Sequence, residues 1–207
     1  MVKIKGPMMS LDASGSLADA LVFSTWKGQP YVRTLVTPTN PKSPAQLGMR
    51  AMLAFLSHHW IILSLEDKTT WAETALNANI SPFNAYLAYN LTRWRSFKGP
   101  TNTLPAVEAA NSATATPTLT GGQRHVLLSI ANVDNPSNSP AVILRSTAII
   151  ITPNWNLAVA VINTLDDTIA LFTDAPLAAG TYHYRCANGD SNGNLGAWSA
   201  DLSAVVT

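Results

Sequence analysis

Three prolines in seven residues, Pro38, Pro41 and Pro44, limit what this chain can fold into more than any other feature. Proline has no amide hydrogen, fixes its own φ and biases the preceding residue toward extended backbone. Pro38 and Pro41 therefore exclude a helix and favour an extended connector. Pro44 differs, because the first helical position tolerates proline. Ser43 before it fits an N-cap, and Gln46 fits the third position of a reciprocal capping box. The segment should stop whatever precedes it and start a helix over about residues 44–63. Leu47, Ala51, Ala54, Phe55 and Trp60 give that helix a broad apolar stripe.

Upstream, LVFSTW and YVRTLV alternate in the manner of two strands joined by a tight turn containing Gly28. Downstream, Ser64 with Asp67, and Ser81 before Pro82, mark two further helix starts. They predict helices over about 65–77, with Trp71 and Leu76, and 82–95, with Phe83, Tyr86, Leu87, Asn90 and Trp94. Trp26, Trp60, Trp71 and Trp94 are expected to supply much of the buried area of a small core. The stretch from Gly99 to Thr118, GPTNTLPAVEAANSATATPT, has no sustained periodicity and reads as a linker.

Beyond it only strand patterns remain, at about 126–131, 141–151, 156–162, 168–172, 180–186 and 197–206, separated by Asn/Asp/Pro/Gly turns. In LAAGTYHYRC, Tyr182 sits where a tyrosine corner would, its hydroxyl bonding back to upstream backbone. Cys186 falls on the inward side, in step with Tyr182 and Tyr184. An Asn/Gly-rich turn (188–194) then leads to Trp198-Ser199. This segment resembles the end of fibronectin type III domains. The expected fold class is an α+β N-terminal domain, a β-hairpin plus three short helices, over residues 1–98. A linker over 99–118 and an all-β immunoglobulin/fibronectin III-like sandwich over 119–207 follow.

Composition narrows the function. The single cysteine, Cys186, excludes an intrachain disulfide framework and a Cys-based zinc cluster. The opening MVKIKGPMM lacks the apolar core of a secretory signal, so synthesis in a cytosol is expected. Apolar runs are too short to span a bilayer, so no membrane partner is expected. Residues 1–100 hold ten Lys/Arg against five Asp/Glu, and residues 101–207 hold three against seven. The cations are scattered, and nucleic acid is not an expected partner. Only 12% of residues are charged, about half the usual share, which suggests a surface partly covered by neighbours.

Candidate chemistry is sparse. His58 and His59 are adjacent on a helix and diverge by roughly a hundred degrees, so they cannot share a metal. His125 and His183 lie in the predicted sandwich, His183 facing outward. The pairs Glu66-Asp67 and Asp166-Asp167 read as a helix start and a turn. Asp190, Asn192 and Asn194 have the spacing of the first calcium-loop ligands, with Asp201 eleven residues on, but Leu195 occupies the position that needs glycine. Asn90-Leu-Thr92 matches a glycosylation sequon. No catalytic residue, metal or cofactor is expected, and the chain is not expected to be an enzyme. The residues that argue for a role are interfacial: Trp26, Lys27, Tyr31 and Arg33 on a hairpin too small to be stable alone, and Arg50 on the helix behind the connector.

The combined pattern resembles a family of small phage and prophage virion structural proteins. It consists of Val22–Arg33, Pro38–Gln46 (Pro-x-Asn-Pro-x-Ser-Pro-Ala-Gln), Arg50, Trp71 and Ser81–Tyr86, about seventy residues in all. Where that family often has glycines near positions 18 and 19, this chain has Ala18 and Asp19. The resemblance implies a multi-copy virion component, a capsid decoration, minor capsid or tail-associated protein. It would be made in the bacterial host cytoplasm, with other virion proteins as partners. The alternative is a host-surface or carbohydrate-binding adhesin on the particle, with Trp155 and polar loops of residues 115–207 as its site.

Overall fold

The strands expected on either side of Gly28 form, as part of a wider sheet. The computed structural model describes residues 2–3, 15–17, 20–37, 39–40, 42–106, 115–131, 139–164 and 169–207. Pro38, Pro41 and the Asp166-Asp167 pair lie outside the described residues. The chain divides into two units, residues 1–41 and 42–207. The first is an antiparallel sheet of β1 (Val2–Lys3), β2 (Gly15–Leu17), β3 (Leu21–Trp26) and β4 (Gln29–Thr34), in the order β1-β4-β3-β2. Trp26 pairs with Gln29, so the loop is Lys27-Gly28, with φ of 49° and 73°. Two positive φ values are what a type I′ hairpin turn needs, and Gly28 adopts one at no steric cost.

The helices of the second unit start where the serines place them. Ser43, Ser64 and Ser81 accept from the amides of Gln46 (3.4 Å), Asp67 (3.1 Å) and Asn84 (3.2 Å). The first and last of these begin α1 (Pro44–Ile62) and α4 (Pro82–Arg95). The helix expected over 65–77 is instead two, α2 (Leu65–Thr69) and α3 (Ala72–Ala78). The break has a local cause: the Thr69 and Thr70 hydroxyls donate back to the carbonyls of Glu66 (2.6 Å) and Asp67 (2.7 Å), competing with the helical ladder. Asn79, left-handed at φ 53°, ends α3.

Seven strands follow: β5 (Thr116–Gly122), β6 (His125–Ala131), β7 (Ser139–Ser146), β8 (Ala158–Thr164), β9 (Ile169–Asp174), β10 (Gly180–Asn188) and β11 (Leu202–Val206). They make two antiparallel sheets, β5-β6-β9 and β11-β10-β7-β8, over a shared core of Val126, Leu128, Ile130, Ile143, Tyr184 and Cys186. β5 lies partly inside the stretch read as a linker, where Thr and Pro mask its period-2 pattern.

The expected boundary between helices and sandwich does not exist. β7 is buried on both faces: Ala141 and Ile143 point between the sheets, while Val142 and Leu144 join Met52, Leu56, Trp71, Tyr86 and Trp94 in a second core. The second unit is thus three layers: a three-stranded sheet, a four-stranded sheet and the helices. A strand covered on both sides is a continuous apolar run, and Ala141-Val-Ile-Leu144 is one. Nor are residues 99–104 a free linker. Asn90 brackets Thr101, donating to its carbonyl (3.1 Å) and accepting from its amide (2.8 Å). Trp71 Nε1 donates to Asn102 O (2.7 Å), and Asn102 N donates to Ser191 O (2.8 Å). Phe97 stacks on Trp198 at 5.2 Å, tying the end of the helices to the sandwich.

Candidate functional site

In β3 and β4 the pairs Val22–Arg33, Ser24–Tyr31 and Trp26–Gln29 face one another. Side chains alternate along a strand, so Trp26, Tyr31 and Arg33 share one face, with Trp26 and Tyr31 as diagonal neighbours. Lys27 stands at the turn, its Nζ 6.0 Å from the Trp26 ring centre. Trp26 is 65% exposed, and no residue of β3 or β4 is buried. Trp26 therefore does not fill a core, whereas Trp71 and Trp94 are fully buried and Trp60 packs partly against them. Of the five residues expected at an interface, four lie on this hairpin. Arg50 belongs to α1 in the second unit.

There Arg50 lines a shallow hollow of about 420 Å³ with Ala45, Gln46, Met49, Arg95 and Trp155. Trp155 opens a 3-10 turn, Trp155–Leu157, capped by Asn154, whose Oδ1 accepts from Asn156 N (3.3 Å). Gly48 lets α1 come close: a Cβ there would collide with the Trp155 carbonyl oxygen. The Gly48 carbonyl in turn accepts from Trp94 Nε1 at 3.2 Å. The surroundings of Trp155, expected to be polar loops of residues 115–207, are instead supplied on this side by α1 and α4.

The other candidates are occupied structurally. His59 Nε2 meets Asn102 Oδ1 at 3.0 Å, and the ring stacks on Phe55 at 5.0 Å. Burial lowers its pKa below the ordinary value, so it is neutral and Nε2 is the donor. His183 Nδ1 contacts Asp201 Oδ2 at 2.7 Å, and Asp201 Oδ1 accepts from Ile150 N at 3.0 Å. Asp201 is thus committed away from Asp190. Asp190 Oδ1 accepts from the amides of Asn192 (2.9 Å) and Asn194 (2.8 Å), so the calcium-like spacing closes a loop. Burial pushes the Cys186 thiol up to about 12, which removes its nucleophilic form at neutral pH. The sequon's Asn90 is fully buried on Thr101.

Two polar clusters carry no local sequence signal. Arg145 Nη1 bonds both oxygens of Asp174 (2.7 and 2.9 Å), and Tyr184 Oη donates to Asp174 Oδ2 (2.9 Å), joining the two sheets. Burial and then the Asp174 charge push the Tyr184 phenol up. Arg93 reaches from α4 to the carbonyls of Gly99 (3.1 Å) and Gly193 (2.9 Å). The residue that the sequence did place is Tyr182, whose hydroxyl donates to Ala178 O at 3.1 Å.

No family model matches the chain, and no curated protein matches it. Among solved structures, a beta-1,2-glucanase from Parabacteroides distasonis is 22% identical at TM-score 0.37, over 50% of this chain and 14% of that one. The chicken CNTN1 FN1-FN3 domains are 15% identical at TM-score 0.37, over 47% of this chain and 33% of that one. The PKD domain of a peptidase from a Thermoplasmatales archaeon is 14% identical at TM-score 0.33, over 47% of this chain and 98% of that one. The chain spans only a small part of the first two. Similarity this low leaves the fold to rest on the strand order and says nothing of function.

Proposed function

We propose that this chain is a bacteriophage virion structural protein, a multi-copy capsid decoration, minor capsid or tail-associated component without enzymatic activity. It is made in the host cytoplasm and incorporated into the particle. Its first unit docks on other virion proteins, and its second displays an immunoglobulin/fibronectin III-like sandwich. One observation carries the reading. In a four-stranded sheet, neither central strand, β3 or β4, holds a buried residue, and the face that carries Trp26, Tyr31 and Arg33 leaves the indole 65% exposed, ready for a covering layer. The virion-like pattern of residues 15–86 supports the same partner class. Cross-linking mass spectrometry on purified particles tests it, with links expected from Lys27 to another subunit. Absence of the protein from particles, or no neighbour at residues 17–95, sinks the proposal.

A second reading, a carbohydrate-binding adhesin on the particle, is favoured by Trp155. Its indole stands half-buried beside polar side chains in an open hollow, where a sugar ring could stack.

A further inference from the structure

Leu76 is the most exposed leucine among the described residues, at 81%, and the packing of its own helix does not use it. α3 is anchored by Ala75 and by Trp71 just before it, both buried, and Leu76 points away from that core. Glu73 is exposed on the same face, because residues three apart on a helix are neighbours with Cβ atoms about 5–6 Å apart. α2 packs beside α3 and adds Glu66 and Asp67. Residues 64–80 hold three carboxylates against one cation, Lys68. That cation is engaged locally: its Nζ donates to Ile61 O at 3.4 Å and lies over the Trp60 ring. The surface at α3 is therefore aliphatic and negative.

The hairpin of β3 and β4 has the opposite character. Residues 21–36 hold two cations, Lys27 and Arg33, and no carboxylate. The Lys27 ammonium lies 6.0 Å from the centre of the exposed Trp26 ring. A cation beside an apolar group on the hairpin thus matches, at a similar spacing, a carboxylate beside an apolar group on α3. Opposite potentials on two surfaces of one chain steer copies of that chain together.

We propose that the hairpin tip of one copy docks on α3 of a second copy, with the Trp26 indole against Leu76 and the Lys27 ammonium against the Glu73 carboxylate. The inference rests on the virion reading, keeps the hairpin as its docking element and names the neighbour. The contact joins two different surfaces, so copies add head to tail into a ring or a filament. It is also small. Strands of six residues are about 20 Å long, and four of them about 4.8 Å apart make a face of at most about 400 Å². That is half the roughly 800 Å² per partner of a standard interface, so free chains associate weakly. An array on a particle strengthens such a contact by avidity.

The test is sedimentation equilibrium of the full chain at loadings up to about 1 mM, the range of a weak contact. The expected result is a mass that rises with concentration and falls back as salt goes from about 0.1 to 1 M, which shortens the screening length from about 10 to 3 Å. Lys27→Asp, which keeps a favoured Asp-Gly turn, and Glu73→Lys should each weaken association about tenfold or more. The two variants mixed should recover most of it, because every contact between them pairs opposite charges. Leu76→Ala should weaken association without moving the thermal melt, which also checks that the charge variants fold. A chain that stays monomeric at every loading overturns the proposal and leaves the virion reading to stand or fall on the Lys27 cross-links in particles. Association lost in Trp26→Ala but unchanged in Glu73→Lys and Leu76→Ala overturns α3 as the partner. Failure of the mixture to recover overturns the pairing of Lys27 with Glu73.

Discussion

Two four-stranded antiparallel sheets in this chain have opposite fates. In the sheet of β11, β10, β7 and β8, the central strand β7 is covered on both faces, by the second sheet and by the helices. In the sheet of β1 to β4, neither central strand, β3 or β4, holds a buried residue. Backbone pairing is the same in kind, so pairing is not what separates them. What differs is apolar area removed from water, at about 25 cal/mol per Å². The first sheet belongs to a self-sufficient core. The second is an unfinished one, and on our reading another virion subunit finishes it.

The sharpest way to break this comparison is to exchange the fates. Residues 115–207 alone would uncover Val142, Leu144, Ile150 and Val161, buried side chains in the core shared with the helices. At about 1.5–3 kcal/mol each, that loss rivals the whole stability of a domain, about 5–15 kcal/mol. The fragment is expected to show no cooperative thermal transition by circular dichroism. Residues 42–207 should melt cooperatively near the full chain's temperature. A cooperatively folded 115–207 fragment would show the helices to be an accessory layer. A smaller version of the test is Leu144→Ala, which should cost about 2–5 kcal/mol in denaturant unfolding. Phe23→Ala, on the open sheet, should leave the same transition unmoved.

Gly48→Ala sharpens the helix side of the comparison. Alanine favours a helix over glycine by about 1 kcal/mol, so an unpacked face would gain stability. Here the new methyl meets the Trp155 carbonyl, a backbone atom that cannot swing aside. A net loss of about 1–3 kcal/mol is expected by urea denaturation, together with a shift of the Trp155 indole resonance. A stabilised variant would mean that α1 does not rest against the turn.

Legibility in the sequence followed the range of the interaction. Ser43, Ser64 and Ser81 announced the helix starts because a cap acts over three residues. Tyr182 was readable because its hydroxyl reaches only to Ala178. The break at Thr70 and the strand β5 were missed because hydroxyl side chains serve several backbone geometries. The domain boundary failed for a deeper reason. Ala141-Val-Ile-Leu144 announces burial on both faces, but which element covers the second face depends on α1, some ninety residues away. The strap at Thr101 and Asn102 looked like linker because its order comes from distant partners, Asn90, Trp71 and Ser191. The hairpin residues were legible as candidates, since exposed aromatics on a small sheet are a local pattern. Arg50's place in one hollow with Arg95 and Trp155 was not.

The core shared by the helices and the sandwich has a pH dependence. His59 is buried against Phe55, and burial, the largest cause, lowers its pKa from 6.5 despite the bond to Asn102. The unfolded chain therefore binds a proton on this ring before the folded chain does. The contribution is fully present above pH 6.5 and is lost as pH falls from there toward the lowered folded value. Unfolding in urea at stepped pH should show stability declining below 6.5 in the parent and a shallower decline in His59→Gln. Equal slopes would mean that the ring is solvated in the folded state.

The smallest stability effect should come from the residue with the largest proposed role. Trp26 is 65% exposed, so Trp26→Ala removes little buried area, and the main unfolding transition should not move. If another subunit covers this face, the indole is desolvated only in the assembly, where a central aromatic can carry about 2 kcal/mol or more of the binding energy. The variant should then fold normally yet be depleted from particles when it competes with the parent protein during assembly. Tyr31→Ala should act in the same direction from the shared face, and Lys27→Ala, at the turn, more weakly. Normal incorporation of Trp26→Ala with a lowered melting temperature would invert the assignment. The tryptophan would then be a structural residue of its own sheet, and the open face would no longer argue for a partner.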